Sequence, residues 1–186
     1  MEPLDVLKLM REKAEAVQAV VSDAGGFDDI AAYTTDLTKK QGGETVIATG
    51  LTPAEYDILK ASCEDAGLTL LEPPFRQHAE KIHTSLTVAD WGIADTGSLV
   101  IDSSSEDVRI ATMLPETHIA ILPAAKIKPD SGTLESELNS ILKTDPPAYM
   151  AFITGASRTA DIERVLAIGV HGPRELHILI MEENHA

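Results

Sequence analysis

The sequence is poor in cysteine: Cys63 is the only one among 186 residues. No disulfide can form within the chain, and no cysteine cluster is available to hold zinc or an iron–sulfur cluster. The six histidines show no helical H-x-x-x-H pair, so we expect no metal site. Cys63 lies in a run with helical spacing, where we expect a buried, unreactive thiol because free cysteines are usually buried.

Basic residues are scarce as well. Fifteen lysines and arginines stand against thirty acidic residues, which gives a net charge of −15. Because such a surface repels polyanions, we expect neither a nucleic-acid partner nor an anionic membrane surface as a partner. A small anion could bind only in a locally basic pocket. The cations available for such a pocket are Arg109, Lys126, Arg158 and Arg174.

Long hydrophobic runs are also missing: none approaches the ~18 residues of a membrane span, and the N-terminus has no signal-peptide pattern. We therefore expect a cytoplasmic protein. The composition, 44% hydrophobic, is that of a globular chain. G-x-S-x-G, Walker A and G-x-G-x-x-G motifs are absent from the sequence, so serine-hydrolase, P-loop and dinucleotide-binding functions have no local support.

Apolar periodicity predicts alternating helices and strands. The spacing over 4–21 predicts an N-terminal helix ended by Gly25-Gly26; it could pack on the core or on a second subunit, so a homo-oligomer stays an open alternative. Further elements follow, in order: a helix over 28–41, a strand over 45–48, a helix from 52 to 66 and a strand over 68–71. This order is typical of a parallel α/β sheet. We interpret 1–186 as one domain, with an N-terminal helix in 1–26 and an α/β core over 27–186.

The centre of the chain predicts a hairpin. Two extended runs flank the turn Asp95-Thr96-Gly97-Ser98, in which Gly97 would supply a positive φ. Asp90 and Asp95 could divide acid and base roles, bind Mg²⁺, or simply hydrogen-bond turn amides. The Asp-Thr-Gly triplet occurs once, so an aspartic protease is a poor interpretation. Later elements are a short helix over 109–114, strands over 118–122 and 175–181, and a helix over 131–143.

The stretch Thr154–Glu163 is the most informative. It follows an apolar run over 149–153 that predicts a buried strand, and it leads into a helical pattern from Ile162. Free N–H groups at such a helix start, with the helix dipole, favour an anion, and Arg158 adds a forked donor. The alternative is structural: Ser157 or Thr159 would cap the helix, and Arg158 would pair with a nearby acid.

A second donor-rich turn follows at Gly169-Val170-His171-Gly172-Pro173-Arg174. His171 is suited to general acid–base work because its pKa is ordinarily near neutral. Equally, it could anchor the turn by hydrogen bonds. The strand histidines His118 and His177 are interpreted as core or surface residues with satisfied hydrogen bonds.

Four blocks of the sequence together resemble the LUD domain family, in particular its lactate utilization protein C type, also labelled YkgG-like. They are Gly92-Ile93-Ala94-Asp95-Thr96-Gly97-Ser98-Leu99-Val100, Leu114-Pro115-Glu116-Thr117-His118-Ile119, the stretch 154–163 and the turn 169–174. The resemblance implies a Rossmann-like, three-layer fold of the NagB/RpiA/CoA-transferase group, with an added antiparallel hairpin and N-terminal helices. No counterpart of the CoA-transferase nucleophile is recognisable, so that activity does not follow from the fold.

The resemblance also implies a role in oxidising L-lactate to pyruvate beside two iron–sulfur partner proteins, this chain being the subunit without a cluster or other cofactor. The candidate catalytic residues are Asp95 and His171. The candidate residues for binding a small anionic ligand are Thr96, Gly97, Ser157, Arg158, Thr159, Asp161, Gly172 and Arg174. Two alternatives remain: a standalone enzyme acting on a phosphorylated or CoA-linked small molecule, and a non-catalytic binding or regulatory module. Whether the chain is an enzyme stays open.

Overall fold

A computed structural model describes residues 3–143, 148–162, 165–168 and 172–182, without the side chains of 3, 158–162 and 165–168. Its helices are α1 (Pro3–Ala16), α2 (Phe27–Lys40), α3 (Pro53–Ala66), α4 (Glu106–Met113) and α5 (Glu135–Leu142). Its strands are β1 (Val20–Ala24), β2 (Thr45–Ala48), β3 (Thr69–Leu70), β4 (Thr84–Val88), β5 (Trp91–Ile93), β6 (Ser98–Asp102), β7 (Thr117–Pro123), β8 (Ile127–Lys128), β9 (Met150–Ile153), β10 (Arg158–Ile162), β11 (Val165–Ile168) and β12 (Glu175–Met181). Among the helices described, none is long and apolar enough to cross a membrane.

Six parallel strands form the central sheet, in the order β1-β12-β7-β4-β2-β3. The inner strands β4, β7 and β12 are buried on both faces. Strands β7 and β12 are accordingly largely apolar, whereas β4 carries Thr84, Ser85 and Thr87, whose buried hydroxyls are hydrogen-bonded. Helices α2 and α3 cover one face of this sheet. There Ile30 and Leu59 of the helices pack into one cluster with Leu86, Ile119 and Leu179 of the strands.

The other face is covered by α1, α4 and a second sheet of four strands, in the order β8-β5-β6-β9. Met10 of α1 and Leu99 of β6 pack there against Leu122, Ile178 and Ile180 of the central sheet. The pairs β5–β6 and β6–β9 are antiparallel. The molecule therefore has the predicted three-layer α/β fold with an added antiparallel hairpin.

Helix α3 shows how closely local sequence signals set the ends of an element. The Thr52 hydroxyl accepts a hydrogen bond from the Glu55 N–H at 3.3 Å, and the Glu55 carboxylate accepts one from the Thr52 N–H at 2.7 Å. With Pro53 at the first helical position, this is a complete capping box. Gly67 ends the helix in the left-handed conformation, at φ 72°. These bounds confirm the prediction.

The N-terminal segment corrects the predicted helix over 4–21. Helix α1 ends at Ala16, the chain reverses at Gln18 with φ 67°, and Val20–Ala24 become β1. This strand pairs in parallel with β12 at the edge of the central sheet. Gly25-Gly26 therefore follows a strand, and the first 26 residues include part of the sheet rather than a helix alone.

The segment after Ser157 corrects a second prediction. In place of a helix starting near Ile162, the chain forms the antiparallel pair β10–β11, with Arg158 opposite Ile168 and Ile162 opposite Val165. The preceding strand β9 was expected to be buried. It lies instead at the edge of the second sheet, where Phe152 is 53% exposed. An apolar run of this length predicts a strand but not which of its faces is covered.

Cys63 gives a prediction that tests the packing of α3. Its side chain is fully buried between α3 and the central sheet, and burial raises the pKa of the thiol to about 11. That rise lowers the thiolate fraction near neutral pH by roughly a hundredfold. We expect a thiol reagent to label the folded chain at least that much more slowly than the unfolded chain.

Because the chain has one cysteine, every label reports Cys63. The comparison is made at one pH, with and without denaturant, on the same reagent stock. Equal labelling rates in both states would contradict the burial of this residue.

Candidate functional site

The turn of the β5–β6 hairpin lies against α1. Asp95 and Thr96 are exposed there, and the Asp95 N–H donates to the Pro129 carbonyl at 3.0 Å. Gly97 is buried with φ 64°, and a β-carbon on it would lie 2.3 Å from the Ala14 nitrogen. Only glycine allows both this conformation and this approach to a helix backbone. The predicted positive φ at Gly97 is confirmed.

A hydrogen bond connects this hairpin with the segment that follows β9. The hydroxyls of Ser98 and Thr154 lie 2.6 Å apart, continuing the antiparallel ladder in which Leu99 stands opposite Ile153. The turn with Asp95 and the turn with Gly155 are consequently at the same end of the second sheet.

The next connection joins the segment after β9 with the turn before β12. The Ser157 N–H donates to the Pro173 carbonyl at 2.9 Å. A β-carbon on Gly172 would lie 3.1 Å from Cβ and 3.3 Å from Oγ of Ser157. Since glycine leaves that space open, the half-buried Ser157 side chain lies directly against the backbone of the second turn.

The last connection reaches the block around Glu116, just before β7. The Arg174 N–H donates to the Glu116 carbonyl at 2.8 Å, and the two side chains form an ion pair at 3.3 Å. The four sequence blocks that carry the family resemblance are therefore joined in one continuous structure, although up to about eighty positions separate them in the sequence.

Part of the predicted anion site is not formed. Because β10 replaces the expected helix, no helix N-terminus or helix dipole lies at Ser157, and the Ser157 N–H already has an acceptor. The predicted contributions of a helix N-terminus and of a free Ser157 N–H to anion binding were thus wrong. His171 lies outside the described residues, as do the side chains of Arg158, Thr159 and Asp161.

Two of the predicted cations have partners. Arg109 Nη1 donates to the carbonyls of Ser103 and Ser104 at 2.6 and 2.8 Å, which ties α4 to the loop before it. Arg174 pairs with Glu116 in a contact whose side chains are 66% and 59% exposed. Such an exposed pair contributes only about 0–1 kcal/mol, so Arg174 can exchange this partner at small cost.

Asp90, the other carboxylate considered beside Asp95, has a structural role. Its Oδ2 accepts the Asp102 N–H at 2.7 Å, which closes the open end of the β5–β6 hairpin. Of the alternatives that the sequence left open, this contact is nearest to the structural one, but the amide is at the end of β6 and not in the turn. Asp95 makes no such side-chain contact that the structure records, and its carboxylate is exposed beside Thr96.

A polar network missed by the sequence lies at the amino ends of β7 and β12. Both ring nitrogens of the buried His177 have a hydrogen-bond partner. Nδ1 lies 2.8 Å from the Tyr33 hydroxyl, and Nε2 lies 2.9 Å from Glu175 Oε2. Gln41 donates to the same Glu175 oxygen at 2.9 Å and accepts from the Thr117 hydroxyl at 2.8 Å. Burial is the largest of the causes that raise the pKa of the Tyr33 hydroxyl above its ordinary value. No short sequence motif predicts these contacts, because they join residues as far as 144 positions apart.

Next to this network the protein surface forms a cavity of about 220 Å³. Its lining is polar and carries both signs of charge: Gln41, His83, Glu116, Thr117, Arg174 and Glu175. A neighbouring depression of about 580 Å³ shares His83 and Glu116 with it. Among the described residues, no group of three or more His, Cys, Asp or Glu side chains is arranged to hold a metal ion.

His118 is buried in the core beneath α4. Its Nε2 lies 2.8 Å from the Thr87 hydroxyl, and burial lowers its pKa to about 4. The ring is therefore neutral near pH 7 and acts as a hydrogen-bonded core residue, as one of the two alternatives for it predicted.

A family model described as "LUD domain" matches residues 7–181 of the chain. The chain belongs to the LUD domain family, as the four sequence blocks indicated. Within that family it is similar to curated proteins named lactate utilization protein C. It is 31% identical over 109 residues to the one from Macrococcus caseolyticus, covering 58% of this chain and 47% of that protein.

Other relatives cover more of the chain. The lactate utilization protein C of Bacillus velezensis is 28% identical over 175 residues, or 88% of this chain and 72% of that protein. The uncharacterized protein YkgG of Escherichia coli K12 is 29% identical over 154 residues, or 79% and 67%. The chain spans about half the length of several of the curated relatives it matches.

Among solved structures, a DUF162 family protein from Deinococcus radiodurans has the same fold. The TM-score is 0.64 at 18% identity, over 97% of this chain and 99% of that one. This likeness supports the three-layer α/β architecture.

Proposed function

We propose that the chain acts in L-lactate utilization, as the component without an iron–sulfur cluster, by binding a small anionic metabolite. The observation that carries the proposal is the convergence of four separate sequence blocks around Ser157, Gly172 and the Asp95 turn. Relatives named lactate utilization protein C give the metabolic context. Oxidation of lactate to pyruvate removes an electron pair, and a chain with one cysteine cannot supply cysteine ligands for a cluster to accept it. Partner proteins with clusters would receive the electrons.

In this proposal, ligand binding and proton transfer are assigned to different residues. Arg158 holds the ligand carboxylate through its forked donors, and the Ser157 hydroxyl, held against Gly172, donates a further hydrogen bond. Thr159 and Asp161 follow on the same hairpin strand. His171 or Asp95 handles a proton if chemistry takes place here. Asp95 is in the exposed turn at this end of the second sheet, and His171 directly precedes Gly172 in the sequence.

The wider organisation follows from the same proposal. Residues 1–186 act as a single LUD domain in the cytoplasm, together with iron–sulfur partner proteins. The net charge of −15 makes partnership with nucleic acid unfavourable. A positively charged ligand pocket within so acidic a chain has to be local, which gives Arg158 a large share of the binding energy.

The test removes the Arg158 guanidinium. In a lactate-growing strain whose own copy of this protein and other lactate dehydrogenases are deleted, we expect the wild-type chain to restore growth on L-lactate and Arg158→Ala not to. In vitro, the same substitution is expected to weaken binding of L-lactate or pyruvate roughly tenfold or more, because a charge-assisted hydrogen bond is lost. Isothermal titration measures the binding.

Arg76→Ala is the matched control, since Arg76 forms an exposed ion pair with Glu106 away from the converging turns. It should support growth and bind like the wild type. Wild-type growth and binding by Arg158→Ala would refute the anion site. Turnover of a phosphorylated or CoA-linked compound by the isolated chain would favour a standalone enzyme instead.

A further inference from the structure

The cavity at the amino ends of β7 and β12 has features of a binding site beyond the function proposed above. Its polar lining comes from four separate parts of the chain: Gln41 after α2, His83 before β4, Glu116 and Thr117 at β7, and Arg174 and Glu175 at β12. Arg174 is also a candidate residue of the anion site, whereas the lining includes neither Asp95 nor Ser157. Because Arg158→Ala tests the first proposal and Glu175→Gln tests the second, a failure of either is distinguishable from a failure of the other.

One wall of the cavity is held in place by hydrogen bonds before any ligand arrives. Glu175 Oε2 receives hydrogen bonds from Gln41 and from the His177 ring at 2.9 Å each. Gln41 is fixed in turn by the buried Thr117 hydroxyl at 2.8 Å. A carboxylate restrained in this way loses little conformational freedom when it binds a ligand, so more of the contact energy becomes affinity.

The position of His83, another lining residue, depends on a glycine. A β-carbon on Gly43 would lie 2.3 Å from the His83 ring, at both Cγ and Nδ1. The His83 ring can therefore occupy its place only because residue 43 has no side chain. Its Nδ1 lies 2.9 Å from the Thr84 hydroxyl, which fixes the ring plane at the border between the two depressions.

The charges in the cavity define the ligand. Glu116 and Glu175 are two carboxylates beside one guanidinium, Arg174. A purely anionic ligand that paired with Arg174 would meet both carboxylates, and a purely cationic ligand would leave Arg174 facing it. Opposite charges on one small molecule satisfy all three groups.

We infer that this cavity binds a small zwitterion, a molecule that carries an ammonium group and a carboxylate a few atoms apart. The ligand carboxylate pairs with Arg174, which releases its exposed, low-energy contact with Glu116. The ammonium group donates to Glu116 and Glu175. A volume of about 220 Å³ is below the roughly 300–1,000 Å³ typical of sites for drug-sized ligands, so the ligand has few heavy atoms and no nucleotide part.

The experiment is isothermal titration of the full chain with glycine, β-alanine and 4-aminobutyrate, which vary the spacing of the two charges. Ethylammonium and propionate are the matched ligands with one charge each. We expect saturable binding of at least one zwitterion and at least tenfold weaker binding of both single-charge ligands, because each lacks one charge-assisted contact. Glu175→Gln and Arg174→Gln should each weaken the best zwitterion roughly tenfold or more.

Arg76→Gln, which breaks a comparable exposed ion pair with Glu106 outside the cavity, should bind like the wild type. Circular dichroism and thermal midpoints establish that each variant is folded. For the wild type, the His83 ring signals in NMR spectra should shift on addition of the zwitterion and not of propionate. Equal binding of propionate or of ethylammonium, or no saturable binding of any of the three zwitterions, would overturn the inference.

Discussion

Replacing Gly97 with alanine is expected to lower the free energy of unfolding by roughly 3–5 kcal/mol, since backbone strain and overpacking add at this position. Gly97 has φ 64°, a region that costs other residues energy. The added methyl group would also lie 2.3 Å from the Ala14 nitrogen and 2.5 Å from the Lys13 carbonyl carbon. Both contacts are with helix backbone, which cannot move aside as a flexible side chain could. Urea denaturation measures the loss, followed by fluorescence of Trp91, the only tryptophan.

Gly67→Ala is the control that separates the two contributions. Gly67 has nearly the same backbone conformation, φ 72°, but a β-carbon there would meet nothing within 4 Å. We expect this variant to lose only the cost of the left-handed conformation, about 1–2 kcal/mol. The difference between the two variants then reports the contact of the hairpin turn with α1. Equal losses would show that the turn does not dock on the helix.

In the proposed function, the Gly97 contact has a second role because it positions the exposed Asp95 and Thr96. Since the turn is held against α1 on one side and joined to Thr154 through Ser98 on the other, its side chains have a fixed relation to the Ser157 turn. A variant that loosens this contact should therefore weaken ligand binding at Ser157 as well as stability.

The bounds of a helix or strand could be predicted where particular residues, such as capping residues or a terminating glycine, lie at its ends. The Thr52 capping box and Gly67 bound α3 to the residue, and the alternating apolar residues of 175–181 gave β12 with its observed limits. The reversal between α1 and β1 carries no such mark. Gln18 adopts a positive φ although it is not glycine. Because Val17 and Val21 continue the helical spacing of apolar residues, the predicted helix included residues that form β1.

The β10–β11 hairpin was missed for a different reason. Ile162, Val165 and Leu166 fit a helical period, and the residues before them resemble a helix cap. The pair is rich in β-branched residues, among them Thr159 and Ile168, and these favour a strand. Composition was the better signal here, and periodicity over so short a segment was the weaker one.

The candidate site was predictable in part. The blocks around Gly97, Ser157 and Gly172 were identified as turns, and the structure joins them. The cavity around Glu175 could not be found in the sequence, because its contacts join residues as far as 134 positions apart. Glu116, Thr117 and Arg174 lie in two of the quoted sequence blocks, but nothing in those blocks indicates that they meet Gln41 and Glu175. Hydrogen bonds between distant strands follow from the topology of the sheet, which sequence periodicity does not specify.

The pH dependence of stability is expected to reveal His118. The folded-state pKa of its ring is lowered to about 4 from an ordinary value of 6.5 because the ring is completely buried. The unfolded chain therefore binds a proton at this histidine between those two pH values, and the folded chain does not. Stability from this source is fully present above pH 6.5 and is lost as the pH falls towards about 4, by roughly 3 kcal/mol in total.

His118→Gln isolates this effect from the carboxylates, which also titrate in acid. Glutamine cannot take up a proton in this range, and its amide can keep a hydrogen bond to the Thr87 hydroxyl that the ring now contacts at 2.8 Å. We expect urea denaturation between pH 7.5 and 4.5 to show a shallower loss of stability for this variant, by at most about 1.4 kcal/mol per pH unit. His78→Gln, at a half-exposed ring, should keep the wild-type slope. If His118→Gln keeps that slope too, the ring binds a proton equally well in the folded and the unfolded chain, which would contradict the burial that lowers its pKa.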